Sequence, residues 1–173
     1  MSYEMADSPL IVCPVDFSDP SRTALQYASV VAGHFGARLL VMSVDDPLLA
    51  TVAAARGELA GATARELQQF AESTLTAGGD GPKSVDVQVA VGKPAAEILR
   101  VAREAHADLI VMSSHGRSGA AKRFFGSTTE GVLRSTTTPV LVTARVAASV
   151  RSLAENLGAI GCILALVDIS PAS

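Results

Sequence analysis

The residues best suited to chemistry in this chain lie between positions 113 and 129. Gly116 and Gly119 would let the backbone approach a ligand closely, and three basic side chains in the same segment add positive charge. Three hydroxyl residues follow Gly126, where a helix is predicted to begin and its first backbone N–H groups need acceptors. Such N–H groups can also bind an anion, so the segment is predicted to be a phosphate-binding loop.

Two familiar phosphate-binding motifs do not describe this loop. A Walker loop would require a lysine before Ser127, and none is present. A dinucleotide fingerprint would place its glycines after the first strand, where this chain has Pro14, Val15 and Asp16. Asp16 could accept hydrogen bonds from a ribose or an adenine, or help to hold a divalent cation. The alternative for Asp16 is a turn or N-cap role before the first helix.

Short apolar segments alternate with amphipathic ones along the chain, which predicts strands alternating with helices. The predicted strands are 10–15, 38–44, 85–91, 108–112 and 139–143, and the predicted helices are 20–35, most of 45–75, 94–105 and a segment after Gly126. This pattern favours a doubly wound α/β fold, in which a mainly parallel five-stranded sheet has helices on both faces. Asp16, Val44 and Ser113 would then lie at carboxyl ends of strands, where such sheets bind ligands.

Composition excludes several classes of function. The net charge of −3 and an aromatic content of 4% disfavour a nucleic-acid partner. Cys13 and Cys162 lack metal-ligand spacing and are predicted to be buried thiols in a reducing compartment. The first residues do not resemble a signal peptide, and the longest apolar run is too short to cross a bilayer. The chain is therefore expected to be cytoplasmic, with no membrane partner.

Two separated motifs resemble those of the universal stress protein family. Members that bind ATP carry Gly-x-x-Gly, nine residues and Gly-Ser/Thr after the fourth strand, and a Pro-x-Asp-x-Ser type turn after the first. Here the corresponding segments are 113–116 followed by Gly126-Ser127, and 14–18. The resemblance covers residues 8–145. Ser113 departs from the family pattern because it replaces the first glycine, so its Cβ could narrow the site while its hydroxyl could add a contact.

The resemblance implies an adenine nucleotide α-hydrolase-like sheet with strand order 3-2-1-4-5 and a site for ATP with Mg²⁺. The residues expected around adenine and ribose are Pro14, Val15, Asp16 and Val44. Those expected beside the ribose and α-phosphate are Met112, Ser113, His115 and Gly116. Those expected at the β- and γ-phosphates are Gly126, Ser127, Thr128 and Thr129. For the last three, simple capping of the helix is the alternative, and the two roles are compatible.

The function implied by the resemblance is a stress-response regulatory or sensing module that binds adenine nucleotide. One alternative is a member that does not bind ATP and acts through dimerisation and partner proteins, which Ser113 favours. A second alternative is a slow ATPase. The sequence offers no evident pair of nucleophile and base, so we assign no catalytic residue and no protein metal ligand.

The chain is predicted to contain one domain, 8–145, and a C-terminal extension, 146–173. Residues 163–173 resemble residues 11–21, with Val-Asp-x-Ser shared, and this similarity has two explanations. The extension could hold a linker and the first strand of a second, truncated copy, or the match could be chance. The fifth strand would expose an apolar edge, and the family resemblance implies that this edge pairs two domains, either in a homodimer or in a tandem chain.

Overall fold

The computed structural model describes residues 8–47, 51, 62–75, 81–115 and 125–143. Within this part of the chain, strands and helices alternate. The strands are β1 (Leu10–Pro14), β2 (Arg38–Asp45), β3 (Val85–Val91), β4 (Leu109–Ser113) and β5 (Val140–Thr143). The helices are α1 (Asp19–Phe35), α2 (Ala62–Leu75), α3 (Pro94–Glu104) and α4 (Ser127–Ser135).

The five strands form one parallel sheet in the order β3-β2-β1-β4-β5. Val12 in the central strand is level with Leu40 of β2 and with Ile110 of β4. Parallel strands need a crossover between them, and the helices supply it. The predicted α/β fold and its strand order, 3-2-1-4-5, are confirmed.

Each face of the sheet has its own hydrophobic core, as expected for strands that are covered on both sides. On one face, α1 and α2 pack Leu25 and Leu67 against Leu39 of β2. On the other face, α3 and α4 pack Ile98 and Val132 against the sheet. Complete burial of such a side chain stabilises the fold by about 1.5–3 kcal/mol.

The ends of α1 show how local chemistry sets an element's length. The helix begins at Asp19, after the N-cap Ser18, and it ends at Gly36, whose φ of 59° is left-handed. The Gly36 N–H is directed at the carbonyls of Ala32 and Gly33. The predicted stop at Gly36 is confirmed, because glycine adopts this conformation without the Cβ clash that other residues suffer.

Other boundary predictions differ from the structure by a few residues or lie outside its described part. The third helix, predicted over 94–105, ends at Glu104, and His106 follows it with φ of 51°. Cys13 is fully buried, and this burial raises the pKa of its thiol. Residues 146–173, with Cys162, lie outside the described residues. Among the residues that are described, none of the helices combines the length and apolarity needed to span a bilayer.

Candidate functional site

A cavity of about 320 Å³ opens where the carboxyl ends of β1, β2 and β4 meet the start of α4. Ten residues predicted for the site line it: Pro14, Val15, Asp16, Val44, Met112, Ser113, Gly126, Ser127, Thr128 and Thr129. Four further residues that sequence reasoning missed also line it: Ser21, Met42, Pro94 and Ile98. The volume falls within the range of small-molecule sites, about 300–1,000 Å³.

The cavity has an apolar inner wall and a polar rim. Met42, Met112 and Ile98 form the inner wall and are almost completely buried in the core between the sheet and α3. The rim carries the Asp16 carboxyl and the hydroxyl residues Ser127 and Thr128 at the start of α4. This division suits a ligand with a flat apolar part and a charged part, because apolar area drives burial while a few polar groups fix orientation.

The turn after β1 is held by its own side chains. Asp16 Oδ1 accepts hydrogen bonds from Ser18 Oγ at 2.5 Å and from Ser18 N at 3.3 Å. Ser18 Oγ accepts in turn from Ser21 N at 3.3 Å. Ser21 Oγ donates to the Ser18 carbonyl at 2.9 Å and accepts from Asp16 N at 3.3 Å. Asp16 thus has the turn role foreseen as its alternative while it also lines the cavity, and the N-cap of α1 is Ser18.

Phe17, inside this turn, has a backbone conformation that is unusual for a residue with a side chain, and side chains of α2 pack against it. Phe17 has φ of 62°, which disfavours residues with a Cβ. Its ring meets the Phe70 ring edge-on, with 5.4 Å between centroids. The Arg22 guanidinium lies 4.3 Å from the Phe70 centroid and donates to Thr74 Oγ1 at 2.7 Å. These contacts between α1, α2 and the turn hold Phe17 and therefore orient Asp16.

The start of α4 differs from a helix capped by its own hydroxyl residues. The N-cap is Gly126, which has no side chain, and among the described residues no side-chain hydrogen bond caps the helix. Gly126 N donates to the Ser114 carbonyl at 2.8 Å. The buried Thr129 hydroxyl donates to the Ser113 carbonyl at 2.9 Å and so ties the first turn to β4. Simple capping by the three hydroxyl residues is therefore not what the structure shows.

Two predicted site residues are not placed in the cavity. His115 lies two residues beyond the end of β4, with Nδ1 3.2 Å from Ser114 Oγ, and it does not line the cavity. Gly116 lies outside the described residues. The structure therefore brings together most of the predicted site at three strand ends and one helix start.

Three of the cavity residues that sequence reasoning missed can be explained by the periodicity of their strand or helix, once it is known which face of that element lines the cavity. Met42 and Val44 alternate on one face of β2, so the expected Val44 implies Met42. Pro94 and Ile98 are four residues apart and share one face of α3. No sequence motif indicated that this face of α3 closes the cavity.

Comparisons with known proteins agree with this geometry. The model of the universal stress protein family matches residues 10–144. A universal stress protein of Methanocaldococcus jannaschii is 32% identical over 135 residues, which cover 76% of this chain and 79% of that protein. The universal stress protein YxiE of Bacillus subtilis is 28% identical over 138 residues, covering 74% and 93% of the two chains.

Solved structures with the same architecture include two that bear on the site. The universal stress protein UspA of Lactobacillus plantarum is 26% identical, with a TM-score of 0.62 over 79% of this chain and 98% of that one. A universal stress protein in complex with cAMP is 27% identical, with a TM-score of 0.58 over 80% and 98% of the two chains.

Proposed function

The chain belongs to the universal stress protein family, and on this basis we propose that it binds ATP with Mg²⁺ in the cavity and acts as a cytoplasmic stress-response regulatory or sensing module. The observation that carries the proposal is the convergence of ten predicted site residues on one cavity. Cavities at the carboxyl ends of parallel strands are where open α/β sheets bind ligands. A related protein that crystallised with cAMP supports an adenine nucleotide as the ligand class.

The two parts of the cavity suit the two parts of a nucleotide. The apolar inner wall of Met42, Met112 and Ile98 offers an adenine ring a dry surface. Asp16 at the rim offers a carboxylate acceptor for ribose hydroxyls. The first turn of α4 offers backbone N–H groups that no side chain of the described residues caps. Each such charge interaction at a helix start contributes about 0.3–1 kcal/mol, and up to about 2 kcal/mol where it is partly buried.

Mg²⁺ fits the donors present at the rim. Mg²⁺ prefers oxygen ligands and is usually held by one or two carboxylates together with phosphate oxygens and water. Asp16 supplies a carboxylate and Ser127 and Thr128 supply hydroxyl oxygens among the described residues of the rim. When bound, the ion would neutralise phosphate charge beside these residues.

Isothermal titration of the purified chain with ATP, with and without Mg²⁺, tests the proposal. We expect saturable binding that Mg²⁺ strengthens, and we expect Asp16→Ala to weaken it by about tenfold, the effect of losing one charge-assisted contact. Asp16→Asn is the matched control, because an amide oxygen keeps the hydrogen bond from Ser18 and so preserves the turn. The absence of both heat and a thermal shift at millimolar ATP would contradict ATP binding.

A second function is favoured by Ser113 and by the edge of the sheet. Ser113 lines the cavity at the position where the family's ATP-binding motif has glycine, and its side chain takes up room that a ligand could use. β5 lies at the end of the sheet, and its Leu141 is partly exposed, a strand edge suited to pairing with a second copy or a tandem domain. In this case the protein would act through dimerisation and protein partners.

One substitution separates the two functions. If Ser113 blocks ATP, wild-type protein does not bind it and Ser113→Gly does, in the same titration. If Ser113 is accommodated, both proteins bind ATP with affinities within about fivefold of each other, since the added group is a single small side chain. Sedimentation of wild-type protein with and without ATP then shows whether a dimer forms and whether nucleotide affects it.

A further inference from the structure

Helices α3 and α4 approach each other closely at one point behind the cavity. At this point Gly131 of α4 faces Ala95 of α3, and a Cβ placed on Gly131 would lie 2.9 Å from the Ala95 Cβ. Carbon atoms that are not bonded prefer separations of about 3.5–4.0 Å. The observed approach of the two helices therefore requires that residue 131 carry no side chain.

This contact lies between two groups of cavity-lining residues, one on α3 and one on α4. Ala95 follows Pro94 and lies one turn before Ile98, both of which line the apolar side. Gly131 lies one turn after Ser127 and Thr128, which line the polar side. Helices transmit such a spacing rigidly, because their packed cores deform little. The distance between Gly131 and Ala95 thus sets the distance between the two groups.

The surrounding core leaves little room for the helices to adjust. Val132, next to Gly131, is fully buried and belongs to the same cluster as Ile98 and Met112. Thr129 is bonded to the Ser113 carbonyl and holds the helix start against β4. A methyl group on residue 131 would have to move α4 away from α3 while both of these contacts resist the movement.

We propose that Gly131 and Ala95 are positioning residues of the nucleotide site, which place the uncapped start of α4 at the correct distance from the apolar wall formed by α3. The inference rests on the proposed function for the identity of the ligand and on the geometry alone for the spacing. Backbone N–H groups bond to phosphate oxygens over a narrow range of distances, about 2.7–3.2 Å, and the bonds weaken steeply when their angle is lost. A larger separation of α3 and α4 should therefore reduce the affinity for ATP, although the groups that touch the ligand stay the same.

The decisive experiment exchanges the two side chains. Gly131→Ala alone should weaken ATP binding by about tenfold, which lies within the range of coupling between contacting residues. The double variant Ala95→Gly with Gly131→Ala restores the total volume at the contact and should bind within about twofold of wild type. Gly81→Ala is the matched control, because a Cβ there meets nothing within 4 Å, and it should bind as wild type does.

Two further measurements make the result unambiguous. Alanine has a higher helix propensity than glycine, so circular dichroism should show the same total helix content in Gly131→Ala as in wild type. Crystal structures should show α3 and α4 further apart in Gly131→Ala and at the wild-type distance in the double variant. Unchanged separation, or a double variant that binds no better than Gly131→Ala, would overturn the inference.

Failure of the proposed function has a different signature. If wild-type protein binds no ATP, that function is wrong, while the role of the contact in setting cavity width is still decided by the helix separation in the crystal structures. If wild-type protein binds ATP and Gly131→Ala binds it equally well, the proposed function stands and the positioning role is wrong.

Discussion

Helices α1 and α4 both begin at the cavity, yet they satisfy their first backbone N–H groups in opposite ways. At α1, Ser18 Oγ accepts from Ser21 N, whereas both helices carry one acidic residue in the first turn, Asp19 in α1 and Glu130 in α4. At α4, the N-cap Gly126 has no side chain to offer. Because no described side chain caps the first turn of α4, its donors and the positive end of the helix dipole are better placed to bind an anion than those of α1, where Ser18 takes one donor.

The neighbouring contacts reinforce this difference. The start of α1 is fixed by a turn that bonds to itself through Asp16 and by the contact of Arg22 with Phe70. The start of α4 is fixed from outside, by Thr129 bonded to β4 and by the approach of Gly131 to α3. A helix start can therefore be held in place without using its own N–H groups, and this leaves those groups for a ligand.

The largest effect is expected when the cap that α4 lacks is supplied. Gly126→Asp should weaken ATP binding by about 100-fold, because the new carboxylate accepts from the first-turn N–H groups and repels phosphate. The backbone at Gly126, with φ of −69° and ψ of 158°, accepts any residue. Chemical denaturation should show that stability is unchanged or raised by a few tenths of a kcal/mol.

Gly126→Asn is the control for charge in this experiment. An asparagine caps the helix as well as aspartate does but carries no charge. We expect a loss of about tenfold for Asn, intermediate between wild type and Asp. Equal binding by all three proteins would show that the α4 start does not contact phosphate and would remove the contrast with α1.

At the start of α1, removal of the cap should affect stability more than binding. Ser18→Ala eliminates the acceptor for Ser21 N and the donor to Asp16, at a cost of about 1 kcal/mol in the free energy of unfolding. Urea denaturation measures this loss, and Ser18→Thr should recover most of it because the hydroxyl is retained. A larger loss of ATP affinity than of stability would indicate that Ser18 acts on the ligand.

The smallest effect is expected at the other end of α4. Arg134 donates to Glu130 at 2.8 Å, and both side chains are exposed. Exposed pairs of this kind contribute about 0.3–0.5 kcal/mol, so Arg134→Ala should lower stability by no more than that. ATP affinity should stay within about twofold of wild type. A tenfold loss in the same titration would mean that the effect of α4 on binding is not confined to its start.

The cavity could be located from the sequence because its motifs lie at strand ends. In a parallel sheet the carboxyl ends of neighbouring strands meet at one edge, so the positions of Asp16, Val44 and Ser113 along the chain are enough to predict that they lie together. The alternative in which hydroxyl residues cap α4 is not what the described residues show, because Gly126 occupies the cap position and the Thr129 hydroxyl bonds to β4 instead. A hydroxyl residue in a first turn has several acceptors within reach, and local sequence does not select among them.

The resemblance to the family implied the strand order. Local sequence was sufficient for the alternation of strands and helices and for the edge at which a ligand would bind. These features depend on periodicity, on short turns and on spacing along the chain, all of which neighbouring residues control. Three features came from the folded chain alone: α3 closes the cavity through Ile98, α4 starts without a side-chain cap, and Gly131 sets the spacing of the two helices. They depend on contacts between residues distant in sequence, whose geometry is set by the packing of both cores at once.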